Sequence, residues 1–330
     1  MKIIVTGAAG FIGAHVAKYL AEAGNEIFCL DNFSNYYSVD FKKARIENLL
    51  SPIGIKVENI DVCDREKVEN YVRLKNPEMV IHLAAQAGVR LQLSESHKYT
   101  NANLSGFSNI LQSTVLNEVP YFIYASSSSV YGDSTNHPYK ESELGLKPLS
   151  FYGATKLSNE ILAEALTSHS KTKSRGLRFF TVYGPWGRPD MAYFRLIQSL
   201  LNKTEFTLFG DGTLRRDFTF IDDAVESIYL LSQNIIKNEL KNSDIVNIGG
   251  GRPYSMNQLI EIVNTFSSEK LRIRKTESFN GDVKETIADS AKLKDLTGYV
   301  PLTSLEEGMS KVFEWANNSL IRSSIQNWIS

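Results

Sequence analysis

The 330-residue sequence is poor in metal- and disulfide-forming side chains. It holds two cysteines, Cys29 and Cys63, and five scattered histidines, which excludes a disulfide-stapled scaffold and any zinc-ribbon spacing of ligands. Neither charge is in excess: 36 Lys+Arg against 37 Asp+Glu leave a formal charge of −1. Nothing electrostatic therefore points to nucleic acid or an anionic membrane as partner. No apolar run approaches the ~18 residues that a membrane-spanning helix needs. Met1 leads straight into an apolar strand, without the basic, apolar and small-residue order of a secretory signal. Internal repeats and low-complexity tracts are also missing, and a soluble cytoplasmic protein is expected. The rest is an ordinary globular composition, 42% hydrophobic and 22% charged, able to bury a large core over one or two domains.

Apolar β-rich runs alternate with amphipathic helical stretches from the first residue, the pattern of a parallel sheet covered on both faces. Strands are expected over 2–6, 26–30, 79–83, 121–126 and 177–182, and helices over 11–23, 100–117 and 152–168. The run Gly184-Pro185-Trp186-Gly187-Arg188-Pro189-Asp190 breaks any period and places a domain boundary nearby. Beyond it, helices are expected over 193–202, 222–234, 256–267 and 305–318, with strands over 205–209, 246–248 and 271–274.

Gly7-Ala8-Ala9-Gly10-Phe11-Ile12-Gly13 follows the first expected strand and opens the first helix. Glycines there let backbone N–H groups and a helix N-terminus approach a pyrophosphate; by itself the spacing also describes a tight strand-to-helix turn. Asp31 ends the second strand, where a carboxylate accepts both ribose hydroxyls of an adenosine and repels a 2′-phosphate. Together these features predict an α/β fold with a doubly wound parallel sheet of Rossmann type that binds NAD rather than NADP. That domain is expected over 1–184, with 217–248 able to return to it, and a smaller α/β substrate-binding domain over 185–330.

Tyr152-Gly-Ala-Thr-Lys156 sets a phenol and an ammonium on one helical face. A phenol near its usual pKa of ~10 is a poor base at neutral pH. A neighbouring Lys cation, joined by a positive nicotinamide ring, favours the phenolate, and such a pair removes a hydroxyl proton as hydride leaves. The same spacing also occurs on solvated helix faces. Upstream, Ser126-Ser127-Ser128-Ser129-Val130-Tyr131-Gly132 follows a strand at the carboxyl edge of the sheet, where ligands bind in open α/β folds.

These motifs identify a family. TGAAGFIG, LDNF, HLAAQAGVR, YASSSSVYG, YGATK and RDFTFIDDA occur in that order, and from residue 1 to about 316 the chain resembles the extended short-chain dehydrogenase/reductases, within them the nucleotide-sugar 4-epimerases. Arg178-Phe-Phe-Thr-Val-Tyr-Gly-Pro-Trp-Gly-Arg-Pro-Asp-Met-Ala192 is similar to the UDP-glucuronate 4-epimerases. So are the segment from Asp31 to Tyr37, Gly281-Asp282-Val283 and Ala288-Asp289. The stretches Ser150-Phe151, Leu157-Ser158-Asn159-Glu160 and Phe279-Asn280 depart from that group.

The resemblance implies cofactor contacts from Gly7, Gly10, Phe11 and Ile12 in the first loop, beside Gly13, and from Asp31, Asn32, Asp61 and Val62 near the adenosine. Leu83, Ala84, Ala85, Asn103, Tyr152 and Lys156 complete that set. It makes Ser127 the hydroxyl that bonds the reacting sugar oxygen, with Ser128 as neighbour. Thr181 and Arg188 fall where the sugar and its acid group are expected; Arg188 is otherwise a loop arginine paired with Asp190. Arg216 and Asp282 match positions that hold the diphosphate and the uridine ribose. The implied reaction is 4-epimerisation of a UDP-sugar, UDP-glucuronate first, with neutral UDP-hexoses and decarboxylation of UDP-glucuronate as rivals and a non-catalytic NAD-binding regulator as the alternative of another class. A 4,6-dehydratase is disfavoured because Ser128 and Ser129 offer no proton donor of suitable pKa. No metal site is expected. The family also tends to form homodimers, here through 91–117 and 152–168, whose Leu104, Phe107, Ile110, Leu111, Ile161 and Leu162 recur at helical spacing and equally suit an ordinary core.

Overall fold

Strand alternation builds the centre of the molecule. In β1 (Lys2–Thr6), buried Ile3 and Val5 face one side and buried Ile4 the other, as the period-two pleat requires. The computed structural model describes residues 1–88, 93–237, 242–277, 283–318 and 321. After β1 come α1 (Phe11–Glu22), β2 (Glu26–Asp31), α2 (Val39–Leu49), β3 (Val57–Asn59), α3 (Arg65–Lys75) and β4 (Met79–His82). A short α4 (Ser96–Tyr99) runs through a π-helical turn, Thr100–Gly106, into α5 (Phe107–Leu116). Next are β5 (Tyr121–Ser127), α6 (Phe151–Thr167), β6 (Lys173–Phe179), β7 (Thr181–Tyr183), α7 (Ala192–Asn202), β8 (Glu205–Phe209), β9 (Arg215–Phe220), α8 (Ile221–Lys237) and β10 (Ser243–Ile248). The chain closes with β11 (Pro253–Ser255), α9 (Met256–Asn264), β12 (Arg272–Thr276), α10 (Ala291–Thr297) and α11 (Leu305–Asn317).

Among the described residues the main sheet has seven strands in the order β10-β6-β5-β4-β1-β2-β3, and every pairing in it is parallel. On one face Val5, Met79, Ile81 and Ile123 pack with Phe11, Ala14 and Ala17 of α1 and Ile228 and Leu231 of α8. On the other, Ile4, Val80 and Phe122 pack with Val68 and Val72 of α3 and Phe107 and Ile110 of α5. This is the expected doubly wound parallel α/β sheet. Strand order reverses between β1 and β4, and a crevice opens at their carboxyl ends. A three-stranded sheet, β11-β9-β7, and a two-stranded one, β12-β8, lie beyond.

Three expectations changed. The single strand over 177–182 is two strands: β6 ends at Phe179 in the main sheet, and β7 starts at Thr181 in the three-stranded sheet. Phe180 spans the break, its N–H donating to the Ile248 carbonyl. Arg178 and Thr181 are buried or half-buried like their apolar neighbours on either side of the break, so the residue pattern carried no mark of where one strand ends. The helix over 100–117 widens at its start into the π turn, where Gly106 packs so closely that a Cβ would lie 2.6 Å from Val62 Cγ2. The helix α2 escaped detection because its buried face is Phe41, Lys42 and Arg45, too polar for a hydropathy period.

Asp217 on β9 is fully buried and accepts from the N–H groups of Gly250, Gly251 and Ala288 at 3.2, 2.9 and 2.9 Å. It thereby pins the turn after β10 and the segment before α10 to the strand that carries Arg216. Burial pushes its carboxyl up from 3.8 to about 6, against the pull of those donors. A folded-state pKa above the unfolded one stabilises the fold fully below the unfolded value, and that contribution is lost as pH rises through the folded value. At about 1.4 kcal/mol per unit, wild type relative to Asp217→Asn should be about 3 kcal/mol more stable at pH 3.5 than at pH 7. Urea unfolding at the two pH values checks this; the same difference at both would show that Asp217 does not titrate in this window.

Candidate active site

The loop after β1 is shaped by close approach. Gly7 has φ +71°, and a Cβ on it would lie 2.7 Å from Ala84 N in the loop after β4. Only glycine accepts both the left-handed backbone and the contact. Gly10 opens α1 without a side-chain cap, which leaves first-turn N–H groups and the positive end of the helix dipole for an anion. Asp31 is 7% exposed; its two oxygens accept from Ala9 N and Phe33 N at 3.1 and 2.8 Å, which fixes the carboxylate beside the glycine loop. Asn32 donates to Asp61 at 3.0 Å. The backbone cradle, uncapped helix end and fixed carboxylate fit a dinucleotide: pyrophosphate over the glycines, ribose hydroxyls on Asp31.

One cleft of about 780 Å³ joins these groups to the serine turn after β5 and the start of α6. Gly7, Gly10, Phe11, Ile12 and Gly13 line it, as do Asp31, Asn32, Asp61, Val62, Leu83, Ala84 and Ala85. Ser127, Ser128, Tyr152, Lys156, Thr181, Arg188 and Arg216 line it too. Asn103 does not. It sits behind the wall, 1% exposed, accepting from Gln86 N and donating to Gln86 O and Thr155 Oγ1 at 2.8, 3.1 and 3.1 Å. It therefore ties the loop after β4 to the helix that carries Tyr152. Asp282 lies outside the described residues.

The reacting groups converge on the start of α6. Ser150 caps the helix by accepting from Gly153 N at 3.0 Å, and Gly153 is needed because a Cβ would lie 2.6 Å from the Ser129 carbonyl. Ser127 accepts from Ser129 N at 3.1 Å and donates to Ser129 Oγ at 3.1 Å. Lys156, 2% exposed, donates to the Ala125 carbonyl at 2.9 Å, and its Nζ lies 5.8 Å from the centre of the Tyr152 ring. Burial lowers its pKa to about 8, with Glu160 one turn on opposing the shift. Glu160 is itself held by Ser126 and by a two-point pair with Arg178 at 2.9 and 2.8 Å.

Tyr152 has a second cation near it besides the expected Lys156. Burial raises its pKa above that of an ordinary phenol; the opposing pulls are the Arg188 charge and then a hydrogen bond with Ser127, while Tyr99 adds to the rise. Arg188 is thus a cation that favours the phenolate in addition to Lys156, whose ammonium is anchored on the backbone. Arg188 meanwhile forks onto Asp190, Nε to Oδ1 at 3.0 Å and Nη2 to Oδ2, so it is both a cleft residue and the paired loop arginine. Asp190 also accepts from Tyr36 Oη at 3.2 Å. Sequence reasoning passed over Tyr36, Lys42 and Arg45, all within or next to the segment opened by Asp31. The only signal was resemblance, because buried charge at helical spacing reads as a solvated face.

Among the described residues, no cluster of three or more His, Cys, Asp or Glu is placed to hold a metal ion, and no helix is long and apolar enough to cross a membrane.

Comparison with known proteins places the fold and cleft. A probable UDP-glucuronate 4-epimerase of Rhizobium meliloti (strain 1021) is 37% identical, with 98% of each chain covered. The crystal structure of UDP-glucuronic acid 4-epimerase from Bacillus cereus, in complex with UDP-glucuronic acid and NAD, superposes with a TM-score of 0.87 at 32% identity, covering 96% of this chain and 98% of that one. UDP-glucose 4-epimerase from Thermotoga maritima, with UDP-glucose, superposes at 0.85 and 31% identity, covering 97% of this chain and all of the other. The "NAD dependent epimerase/dehydratase family" matches residues 3–249. The family resemblance drawn from the motifs is borne out, and the chain belongs to the NAD dependent epimerase/dehydratase family.

Proposed function

We propose that this chain is an isomerase that inverts carbon 4 of UDP-glucuronate, giving UDP-galacturonate through a transient 4-keto sugar. The observation that carries this reading is the convergence of Ser127, Tyr152 and Lys156 on one cleft with the glycine loop and with Arg188. NAD, when bound, supplies the acceptor and donor of the hydride. Tyr152 takes the proton of the 4-hydroxyl and later returns one to the 4-keto oxygen. Ser127 bonds that oxygen and Lys156, held on the Ala125 carbonyl, orients the neighbouring ribose. Gly7, Gly10 and Asp31 hold the dinucleotide; Arg216 and Asp282 hold the diphosphate and uridine ribose, so that the sugar turns over while its nucleotide stays anchored.

A glucuronate substrate carries a hazard. Its 4-keto form is a β-keto acid and loses carbon dioxide when the carboxylate bond aligns with the carbonyl π system. Thr181, Ser128 and Arg188 keep the carboxylate near the carbonyl plane, a restraint that fixed donors provide at no cost during the reaction. The Arg188–Asp190 pair supports a second reading, 4-epimerisation of neutral UDP-hexoses, because Asp190 already balances the arginine charge. A division of labour at residue 184, with 217–248 reaching back, belongs to the same proposal and is supported by the pairing of β10 with β6. A cytoplasmic homodimer serving polysaccharide synthesis completes it. Phe107, Ile110 and Leu111 are fully buried core, so the dimer face would rest on exposed Ile161 of α6 and Leu116 of α5.

Proton NMR of the purified protein incubated separately with UDP-glucuronate, UDP-glucose and UDP-N-acetylglucosamine tests the substrate. The galacto isomer is expected from the first alone; pentose with carbon dioxide would mean decarboxylation, and isomerisation of only the neutral sugars would establish the second reading. Tyr152→Phe should keep its NAD and lose at least ~100-fold in turnover, the scale of a lost general base; wild-type turnover would remove Tyr152 from the mechanism. Arg188→Ala should raise KM for UDP-glucuronate by about 10-fold or more and move the acidic limb of the rate profile to higher pH, because the cation that lowers the Tyr152 pKa is gone. An unmoved limb would deny Arg188 its electrostatic part.

A further inference from the structure

Arg45 is the most deeply buried cation in the neighbourhood of the cleft, with no exposed surface. Its guanidinium meets oxygens that carry no full charge. Nε donates to the Trp186 carbonyl at 2.8 Å, Nη2 to the Gly187 carbonyl at 3.4 Å, and Nη1 to Tyr37 Oη at 2.9 Å and to the Ala9 carbonyl. Its carbon lies 4.8 Å from the Phe41 ring centre, and Trp186 stacks on the same ring at 5.7 Å. A buried charge is costly unless it is well bonded, and a merely structural filler here would be apolar. The partners say what this one does. Ala9 belongs to the glycine loop, and its own N–H donates to Asp31. Trp186 and Gly187 come immediately before Arg188. One planar fork thus spans two loops from distant parts of the chain.

Arg188 is therefore held from both sides. On its chain side Arg45 fixes the two preceding carbonyls. On its side-chain side Asp190 takes Nε and Nη2, and Asp190 is in turn steadied by Tyr36, one residue before Tyr37. Trp186 has φ +60°, a left-handed backbone that a bulky residue adopts only when its surroundings enforce it. The carbonyl bond to Arg45 is one such restraint.

We infer that Arg45 is a positioning residue that couples the dinucleotide loop to the loop carrying Arg188, and so sets how well the site distinguishes an acidic sugar from a neutral one. The inference rests on the reading above that Arg188 meets the sugar acid group. Lysine cannot replace it, because a point-like ammonium cannot span carbonyls on two loops with fixed geometry. Loss of the fork leaves the uridine and diphosphate contacts untouched and lets the Arg188 loop drift from the glycine loop.

The test is equilibrium binding by calorimetry to NAD-loaded protein, in a Tyr152→Phe background that prevents turnover. Arg45→Lys and Arg45→Met should weaken UDP-glucuronate by about 10-fold or more while UDP and UDP-glucose change by about 2-fold or less. NAD affinity, measured on cofactor-stripped protein, should fall by at least about 3-fold, since the Ala9 carbonyl loses its partner. In an Arg188→Ala background the Arg45 substitutions should no longer affect UDP-glucuronate, because coupled residues are not additive. Equal losses on all three uridine ligands, additive losses with Arg188, or unchanged NAD affinity would each overturn the inference. Tyr37→Phe removes a single hydroxyl from the brace and keeps the charge. If the Arg45 variants do not fold, it decides the matter, with a smaller selective loss expected and an unselective one fatal. A parent protein that binds UDP-glucuronate no better than UDP-glucose would refute the acid-group reading of Arg188 before any change at Arg45, and the NAD arm would then judge the brace alone.

Discussion

The contact of Gly7 with the backbone of Ala84 is the constraint on which the site depends. Two strands that are adjacent in the sheet but distant in sequence deliver their carboxyl ends side by side, and the missing Cβ lets their following loops touch. The groups proposed to hold the dinucleotide are referenced to that contact: the uncapped start of α1 on one side, Leu83, Ala84 and Ala85 on the other. Asp31 and Asn103 then lock the pair in place, the first by accepting from Ala9, the second by bonding both polar backbone groups of Gln86. A side chain at residue 7 would spread the two loops and move both locks together.

The reacting end of the cleft works against a different cost. Tyr152 and Lys156 are buried, and burial disfavours the charged form of each: it raises the phenol and lowers the ammonium. Phenol and ammonium ordinarily lose their protons near the same pH; the two shifts move them apart, so that a proton is held more tightly by Tyr152 than by Lys156. Arg188 opposes the shift of the phenol and Glu160 that of the ammonium. Low dielectric is thus a cost that this end of the cleft bears, and the Arg188 charge and the Ser127 hydrogen bond are what offset it at the phenol.

Legibility in the sequence followed physical lines. The glycine loop, Asp31 and the Tyr152–Lys156 pair were readable because each depends on a residue type that few alternatives replace. The main sheet was readable from apolar runs of strand length. Helix α2 was not, because its inward face is Phe41, Lys42 and Arg45, so burial there is paid in hydrogen bonds that hydropathy does not register. The break at Phe180 was hidden because residues on both sides of it, Arg178 and Thr181 included, are buried or half-buried alike, and the Arg188 charge acting on Tyr152 was hidden because it comes from a loop 36 residues further along the chain. Phe107, Ile110 and Leu111 showed the converse ambiguity: their spacing fits an interface as well as a core, and packing against Val68 and Phe122 resolved it.

The passage of the chain from β6 to β7 has a mechanical meaning. Ser127 is paired in register with Phe179 in one sheet, while Thr181 is paired with Phe218 in the next. One residue of covalent backbone, Phe180, is all that separates β6, in the sheet bearing Ser127, from β7, in the sheet bearing Arg216. A joint so short transmits slippage almost undiminished: any sliding of one layer over the other shears the part of the cleft that Ser127, Thr181 and Arg216 line together.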